Sequence, residues 1–278
     1  IDTLSDFSSD IKISPFNKSN PPKADITHYP FYDLFFHTLP IRRNSLRIVT
    51  IHDIIPLIYP KHFPTGIKGR INLFLQKVAL KNTDFIISDS ESTKKDIIEL
   101  LHFPQNRIQT IYLAPERKFK KMTPFAKQKT ASKLKLPKSF CLYVGDVNWN
   151  KNIEALLEAI KISKSKLVMV GTALTDTNLK ETQSINNLIQ KLGIGNQVIK
   201  TGYINDSDLV GVYNLASVTL QPSIYEGFGL PVLESMACGT PVVCSKNSSL
   251  IEIGADVAIY CNPSSALDIA DKINEMSS

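Results

Sequence analysis

The sequence lacks the usual frameworks of small, stapled or metal-held proteins. Its four cysteines, Cys141, Cys238, Cys244 and Cys261, are scattered with no Cys-x-x-Cys spacing. That argues against a disulfide scaffold and a thiolate zinc site, and makes buried free thiols in a reducing compartment the expectation. No apolar run is long enough to span a membrane, and no signal peptide is visible, in a chain that begins with Ile1 rather than Met. Zinc-finger spacing, a basic helix on heptads and an aromatic RNA-binding motif are all missing, so no nucleic-acid partner is expected. Neither an Asp-x-Asp pair nor a histidine cluster is read as a metal site. There is no solenoid repeat and no low-complexity tract.

What is present is a globular composition. Apolar residues make up 43% of the 278, enough for one large core or two ordinary ones. Lys and Arg number 32 against 26 Asp and Glu, a net charge of +6. That balance permits attraction to phosphorylated substrates, or to anionic lipid through peripheral contact, and it is equally the balance of an ordinary soluble basic protein.

Residues 1–23, with Pro15, Pro21 and Pro22, read as loop. Strands are expected at Ile26 to Tyr29, Leu46 to Ile51, Phe85 to Ser88 and Ile108 to Tyr112. Between them, Ile71, Phe74, Leu75 and Val78 recur at helical spacing, with Lys68, Arg70, Lys77 and Lys81 elsewhere on the segment. Ser90 or Ser92 is the expected cap of a helix that reaches Leu101. Residues 118–138 are crowded with Lys and read as a solvated linker with one short helix. After it, strands and helices alternate to the end of the chain: strands begin near Phe140, Leu167, Val198, Val218, Pro241 and Ala258. Such alternation implies a parallel sheet covered on both faces, with right-handed crossovers.

One stretch dominates the functional reading, Pro222 to Pro241. A buried strand, Val218 to Leu220, runs into a loop with Gly227 and Gly229, and Pro231 suits the first turn of a short helix that Gly239 and Pro241 end. Free N–H groups and the dipole at a helix start favour an anion such as a diphosphate. Glu226 and Glu234 flank the loop and could accept from vicinal hydroxyls. Two acids around a glycine turn are more often plain surface groups.

The whole stretch is more specific than that. Glu226 and Glu234, with Gly-Phe-Gly-Leu-Pro between them and Ala-Cys-Gly-Thr-Pro-Val-Val after them, resemble the E-x7-E signature of retaining glycosyltransferases of family 4. The resemblance implies an α/β chain of GT-B fold, with two Rossmann-like domains facing each other across a cleft. It implies a partial N-terminal acceptor-side domain over residues 1–117, a linker over 118–138 and a nucleotide-sugar-binding domain over 139–278, in a chain clipped at both ends.

The resemblance also implies roles. Glu226 faces the transferred sugar and Glu234 holds the ribose. Gly227, Phe228, Gly229 and Leu230 line sugar and phosphate with backbone groups. Gly145 and Lys151 belong to the loop that binds the donor diphosphate. Family members commonly carry an Arg just after that glycine or just before that lysine, where this chain has Asp146 and Asn150, so Lys151 is left with the phosphate role beside the helix start at Leu230. Thr50 to Pro56 looks like the segment that presents a histidine, here His52, to the transferred sugar. Tyr203 would border the base.

The implied reaction transfers mannose or another hexose from a GDP- or UDP-linked donor, without metal, to a glycan or lipid-linked acceptor in the cytoplasm or at the inner membrane face. Two alternatives stay open: a nucleotide-sugar-binding module without turnover, and a sugar-nucleotide epimerase of related fold.

Overall fold

The computed structural model describes residues 24–43 and 45–276; the loop expected over residues 1–23 lies outside the described residues. The elements in chain order are β1 (Ile26–Tyr29), β2 (Leu46–Ile51), α1 (Ile55–Ile58), α2 (Ile67–Lys81), β3 (Phe85–Ser88), α3 (Glu91–Leu101), β4 (Ile108–Thr110) and α4 (Pro124–Leu134). There follow β5 (Cys141–Val144), α5 (Ile153–Ser163), β6 (Leu167–Val170), α6 (Lys180–Leu192), β7 (Val198–Gly202), α7 (Asp206–Leu215), β8 (Val218–Gln221), α8 (Leu230–Ala237), β9 (Val242–Ser245), α9 (Ser248–Gly254), β10 (Ile259–Cys261) and α10 (Ala266–Glu275).

The chain divides into two compact units, Ile1–Thr50 with Thr65–Ile87, and Ile51–Pro64 with Ser88–Ser278. This division does not follow the expected line between residues 117 and 118, since residues 88–117 fall in the second unit.

In the first unit β1 pairs with β2 in parallel, Ile26 opposite Leu46 and Tyr29 opposite Val49. The helix α2 does not bury the stripe that its apolar spacing suggests. Ile71 and Phe74 are exposed, and Gln76, Ala79 and Leu80 are buried instead. The reason is the Gln76 amide. Its Oε1 accepts from the Leu39 N–H at 3.1 Å and its Nε2 donates to the Asp33 carbonyl at 2.8 Å. A satisfied polar side chain thus anchors the loop 33–39 on that face, and the helix turns inward around it.

The second unit is built on a six-stranded sheet in the order β10-β9-β8-β5-β6-β7. Every pairing in it is parallel. One face carries Leu156, Leu157 and Ile160 from α5, Ile185 and Ile189 from α6, and Ile269 and Ile273 from α10. The other face packs Leu142, Val168 and Val170 against Val210, Val212 and Tyr213 from α7, with Phe119. Burial on both faces explains why these strands read as continuous apolar runs rather than alternating ones. The strand order reverses between β5 and β8, and the loops at their carboxyl ends are where such sheets take ligands.

The stretch read as a solvated linker is partly structural. Phe119 is buried, Thr123 caps α4, and Lys118 and Lys133 pair with Asp206 and Asp208 at 2.7 and 2.6 Å. Helix α4 lies close to α7 because Gly211 has no side chain where Thr130 sits. The cysteines are four buried free thiols.

Candidate active site

The loops after β5 and β8 meet. After β5 the chain passes Gly145, where a Cβ would lie 2.8 Å from the Tyr143 hydroxyl. It then makes a 3-10 turn over Trp149–Lys151 and places Asn152 in the left-handed region, φ 56°, before α5 begins. Asn150 and Asn152 clip this loop to the one after β8. The Asn150 carbonyl accepts from the Ile224 N–H at 2.7 Å, and its Nδ2 donates to the Tyr225 carbonyl at 3.0 Å. The Asn152 Nδ2 donates to the carbonyls of Pro222 and Pro263, at 2.9 and 2.8 Å.

That clip sets Lys151 opposite Glu226. The Lys151 Nζ lies 2.8 and 2.9 Å from the two Glu226 carboxylate oxygens. Oε1 of Glu226 also accepts from Gln221 Nε2 and Ser223 Oγ, both at 2.7 Å. Its backbone is fixed from α9. The Glu226 N–H donates to Ser248 Oγ at 3.0 Å, and Ser249 Oγ donates to the carbonyls of Glu226 and Phe228 at 2.9 and 2.8 Å. Glu226 is therefore a buried carboxylate with a crowded set of donors.

His52 follows β2 and is brought to the same loop. A Cβ on Gly227 would meet the His52 carbonyl at 2.5 Å and the Asp53 Cβ at 2.7 Å, so this close approach requires glycine. The Gly227 carbonyl accepts from Ser90 Oγ at 2.7 Å and Thr93 Oγ1 at 3.1 Å, and Thr93 Oγ1 also reaches the His52 carbonyl at 3.2 Å. Of the two candidate caps of α3 it is Ser90 that serves, accepting from the Thr93 N–H at 3.0 Å.

The imidazole of His52 is oriented by Asp89, not by its neighbour Asp53. Nδ1 donates to Asp89 Oδ2 at 2.6 Å, and Asp89 is 2% exposed. Asp53 instead accepts from the Ile55 N–H at the start of α1, at 3.0 Å. Burial raises the Asp53 carboxyl above the usual range; that hydrogen bond opposes the shift and the nearby Glu226 adds to it.

Beyond Glu226 the loop reaches α8. Phe228 is buried, and Gly229 has φ +108°, with Leu250 where a side chain would go. The N–H groups of Phe228, Gly229 and Leu230 find no acceptor among the described residues. They are the unpaired donors that a helix start offers to an anion. Glu234, one turn into α8, accepts from the Tyr213 hydroxyl at 2.7 Å. Burial raises its carboxyl above the ordinary value, while the Tyr213 hydrogen bond and the Lys118 charge pull it down.

Around this centre lie groups that no motif marked. Tyr225 donates to both oxygens of Asp96, at 2.9 and 2.7 Å. Burial pushes the Asp96 carboxyl up to about 6, against that hydrogen bond. Tyr59 packs on Trp149 and Tyr225 at ring distances of 5.1 and 5.9 Å, and His62 stacks on Trp149 at 3.6 Å. Tyr203, expected to border a base, is 77% exposed. Among the described residues no group of three His, Cys, Asp or Glu is placed to hold a metal ion. The Asp206 and Asp208 pair, spaced as Asp-x-Asp, is engaged with Lys118 and Lys133. No helix among the described residues is long and apolar enough to cross a membrane.

The chain is similar to known proteins. The chain is 30% identical over 225 residues to O-antigen chain mannosyltransferase B of Escherichia coli, which covers 80% of this chain and 58% of that protein. It is 31% identical over 229 residues to the serotype-specific mannosyltransferase WbdA of Escherichia coli, covering 80% of this chain and 28% of that protein. The chain thus spans about half or less of these relatives. Among solved structures, sucrose-phosphate synthase from Thermosynechococcus elongatus superimposes with a TM-score of 0.72 at 25% identity, over 85% of this chain and 59% of that one. Anabaena Alr3699/HepE in complex with UDP and glucose gives 0.71 at 20% identity, over 84% and 62%. These likenesses show the α/β GT-B fold expected from the sequence. The family model of the glycosyl transferases group 1 matches residues 124–278, more than half of the chain, and to that family the chain belongs.

Proposed function

We propose that this chain carries the donor site of a retaining hexosyltransferase that takes mannose or another hexose from a nucleotide sugar and passes it to a glycan or lipid-linked acceptor. The observation that carries the reading is the meeting of Lys151, Glu226 and the open amides of Phe228 to Leu230 at the point where the strand order reverses. A nucleoside diphosphate leaving from a sugar develops negative charge. One ammonium group and a set of fixed N–H dipoles in a partly buried site stabilise that charge without reorganising.

In this reading His52, held through Nδ1 by Asp89, faces the transferred sugar with Glu226, and Glu234 takes the ribose. Gly145 and Gly227 to Leu230 bring backbone close to the donor. The diphosphate competes with Glu226 for the Lys151 ammonium, and donor entry exchanges part of that ion pair for a phosphate contact. No divalent ion is needed when Lys151 and the α8 start neutralise the leaving group. The mannosyltransferase relatives support a mannose donor, and the structure with UDP and glucose supports a uridine one. In this reading acceptor recognition belongs to the first unit, and the acceptor is met in the cytoplasm or at the inner face of the membrane.

A second reading is favoured by Asp146 and Asn150. Both are spent on the chain itself, Asp146 on the Val147 N–H at 2.7 Å and Asn150 on the clip to Tyr225, and neither adds a cation. A site with one cation could hold a nucleotide sugar without turning it over. The test is to incubate the chain with GDP-mannose and UDP-hexoses under chelator and follow released sugar and nucleoside diphosphate by NMR. Slow release from one donor, with the α-anomer formed first from an α-linked donor, supports the enzyme. Tight binding without release supports the module, and release of a free epimer supports the epimerase instead.

A further inference from the structure

Glu234 is held on one side only. Its Oε2 accepts from the Tyr213 hydroxyl at 2.7 Å, while Oε1 finds no donor among the described residues. Tyr213 is fully buried in the face of the sheet covered by α7, and its ring meets that of Phe119 edge to face at 5.8 Å. Its backbone is pinned as well, with the Tyr213 carbonyl accepting from Thr240 Oγ1 at 2.6 Å. Thr240 lies in the turn that ends α8, so the tyrosine and the helix bearing Glu234 are tied at two points. A rigid ring with a hydroxyl at its tip, fixed at both ends, dictates where one oxygen of the carboxylate sits. The planar carboxylate then has only one direction left for the other.

We propose that Tyr213 is a positioning residue for Glu234: its buried hydroxyl fixes one carboxylate oxygen so that the other is presented to the ribose hydroxyls of the donor nucleotide. This rests on the donor-site reading above and adds to it a residue that touches no substrate. The Tyr213 hydroxyl stays protonated, because burial and the adjacent Glu234 charge both raise it far above neutral pH. It therefore remains a donor, and the carboxylate keeps a fixed acceptor role. A carboxylate oriented in advance loses little freedom when it binds a hydroxyl, which is where affinity is gained.

The test is calorimetric titration of UDP and GDP, and of their 2′,3′-dideoxy forms, into the chain and into Tyr213→Phe, Glu234→Ala and the double variant. A hydrogen bond to a charged acceptor predicts that the unchanged chain prefers the ribonucleotide by about tenfold or more. Tyr213→Phe should lose most of that preference while binding the dideoxy form as before, and should add nothing in the Glu234→Ala background. Equal weakening of ribo and dideoxy forms, full retention of the preference, or additivity with Glu234→Ala would overturn the proposal. Binding of no nucleotide by the unchanged chain would overturn the donor-site reading and the proposal with it. A second measurement needs no variant. The hydroxyl proton of Tyr213, followed by NMR in the unchanged chain, should shift on adding the ribonucleotide and not on adding the dideoxy form; an equal response to both contradicts the assignment.

Discussion

Glu226 and Glu234 stand eight residues apart on the same loop and helix, yet the fold treats them in opposite ways. Glu226 is 6% exposed and surrounded by donors: Lys151 on both oxygens, then Gln221 and Ser223. Glu234 is half-buried with one donor among the described residues, Tyr213, and a carboxyl that burial raises. The first is a counter-ion built into the loop. The second is an acceptor with a vacant side. Equal spacing in a motif thus says little about equal function, because the energetic role of a carboxylate is set by what already occupies its lone pairs.

The largest expected effect follows from the first member. Glu226→Gln removes the charge that compensates a mostly buried ammonium, and losing one partner of such a pair costs on the order of 3 kcal/mol. Glu234→Gln keeps an acceptor for Tyr213 and should change stability by less than about 0.5 kcal/mol. Urea denaturation of the two variants checks this contrast; similar losses in both would dissolve it. Next in size is Gly227→Ala. Its Cβ would press on the His52 carbonyl at 2.5 Å, backbone that cannot move aside cheaply, and overpacking of this kind costs about 1–3 kcal/mol. A melting temperature equal to that of the unchanged protein would show that the His52 and Gly227 segments do not meet.

A smaller effect is visible in the pH dependence. Asp96, behind Tyr225, has its carboxyl raised by burial from its ordinary value of 3.8 to about 6 in the folded chain. A raised carboxyl contributes stability that is fully present below about pH 3.8 and is lost as pH rises through about 6. Asp96→Asn lacks that loss. Its stability relative to the unchanged protein should therefore rise between pH 4 and pH 8, by on the order of 1–2 kcal/mol after allowing for partial solvation. Chemical denaturation across that range provides the check, and a flat difference would mean that Asp96 is already solvated.

The comparison also shows what a sequence carries. Glu226, Glu234, Lys151 and the glycines are marked in the sequence by their resemblance to a family motif, and the structure brings Lys151 and Glu226 together. The parallel strands of the second unit were readable because burial on both faces leaves apolar runs. Asp89, Thr93, Ser248 and Ser249 carry no such pattern, and Ser90 is marked only as a helix cap. Each is a single polar residue near a strand end or helix start, and its importance comes from a partner up to 137 positions away, as for Ser90 and Gly227. Helix α9 passed unnoticed because its seven residues are too few to show a period. Tyr213 reads in the sequence as one more apolar ring, since periodicity records the ring and not the hydroxyl. Helix α2 departs from its pattern for the converse reason: one of its inward residues is Gln76, a side chain that hydropathy places outside.

The donor-site reading depends on Lys151 and the start of α8 neutralising a diphosphate without a metal ion. The direct measurement is calorimetric titration of UDP, GDP and ADP, with chelator present, into the chain and into Lys151→Met. One of the three should bind without metal, and the variant should bind it at least tenfold more weakly, about 1.4 kcal/mol for a single lost charge contact. Binding that requires a divalent ion, or that is indifferent to Lys151→Met, would contradict it.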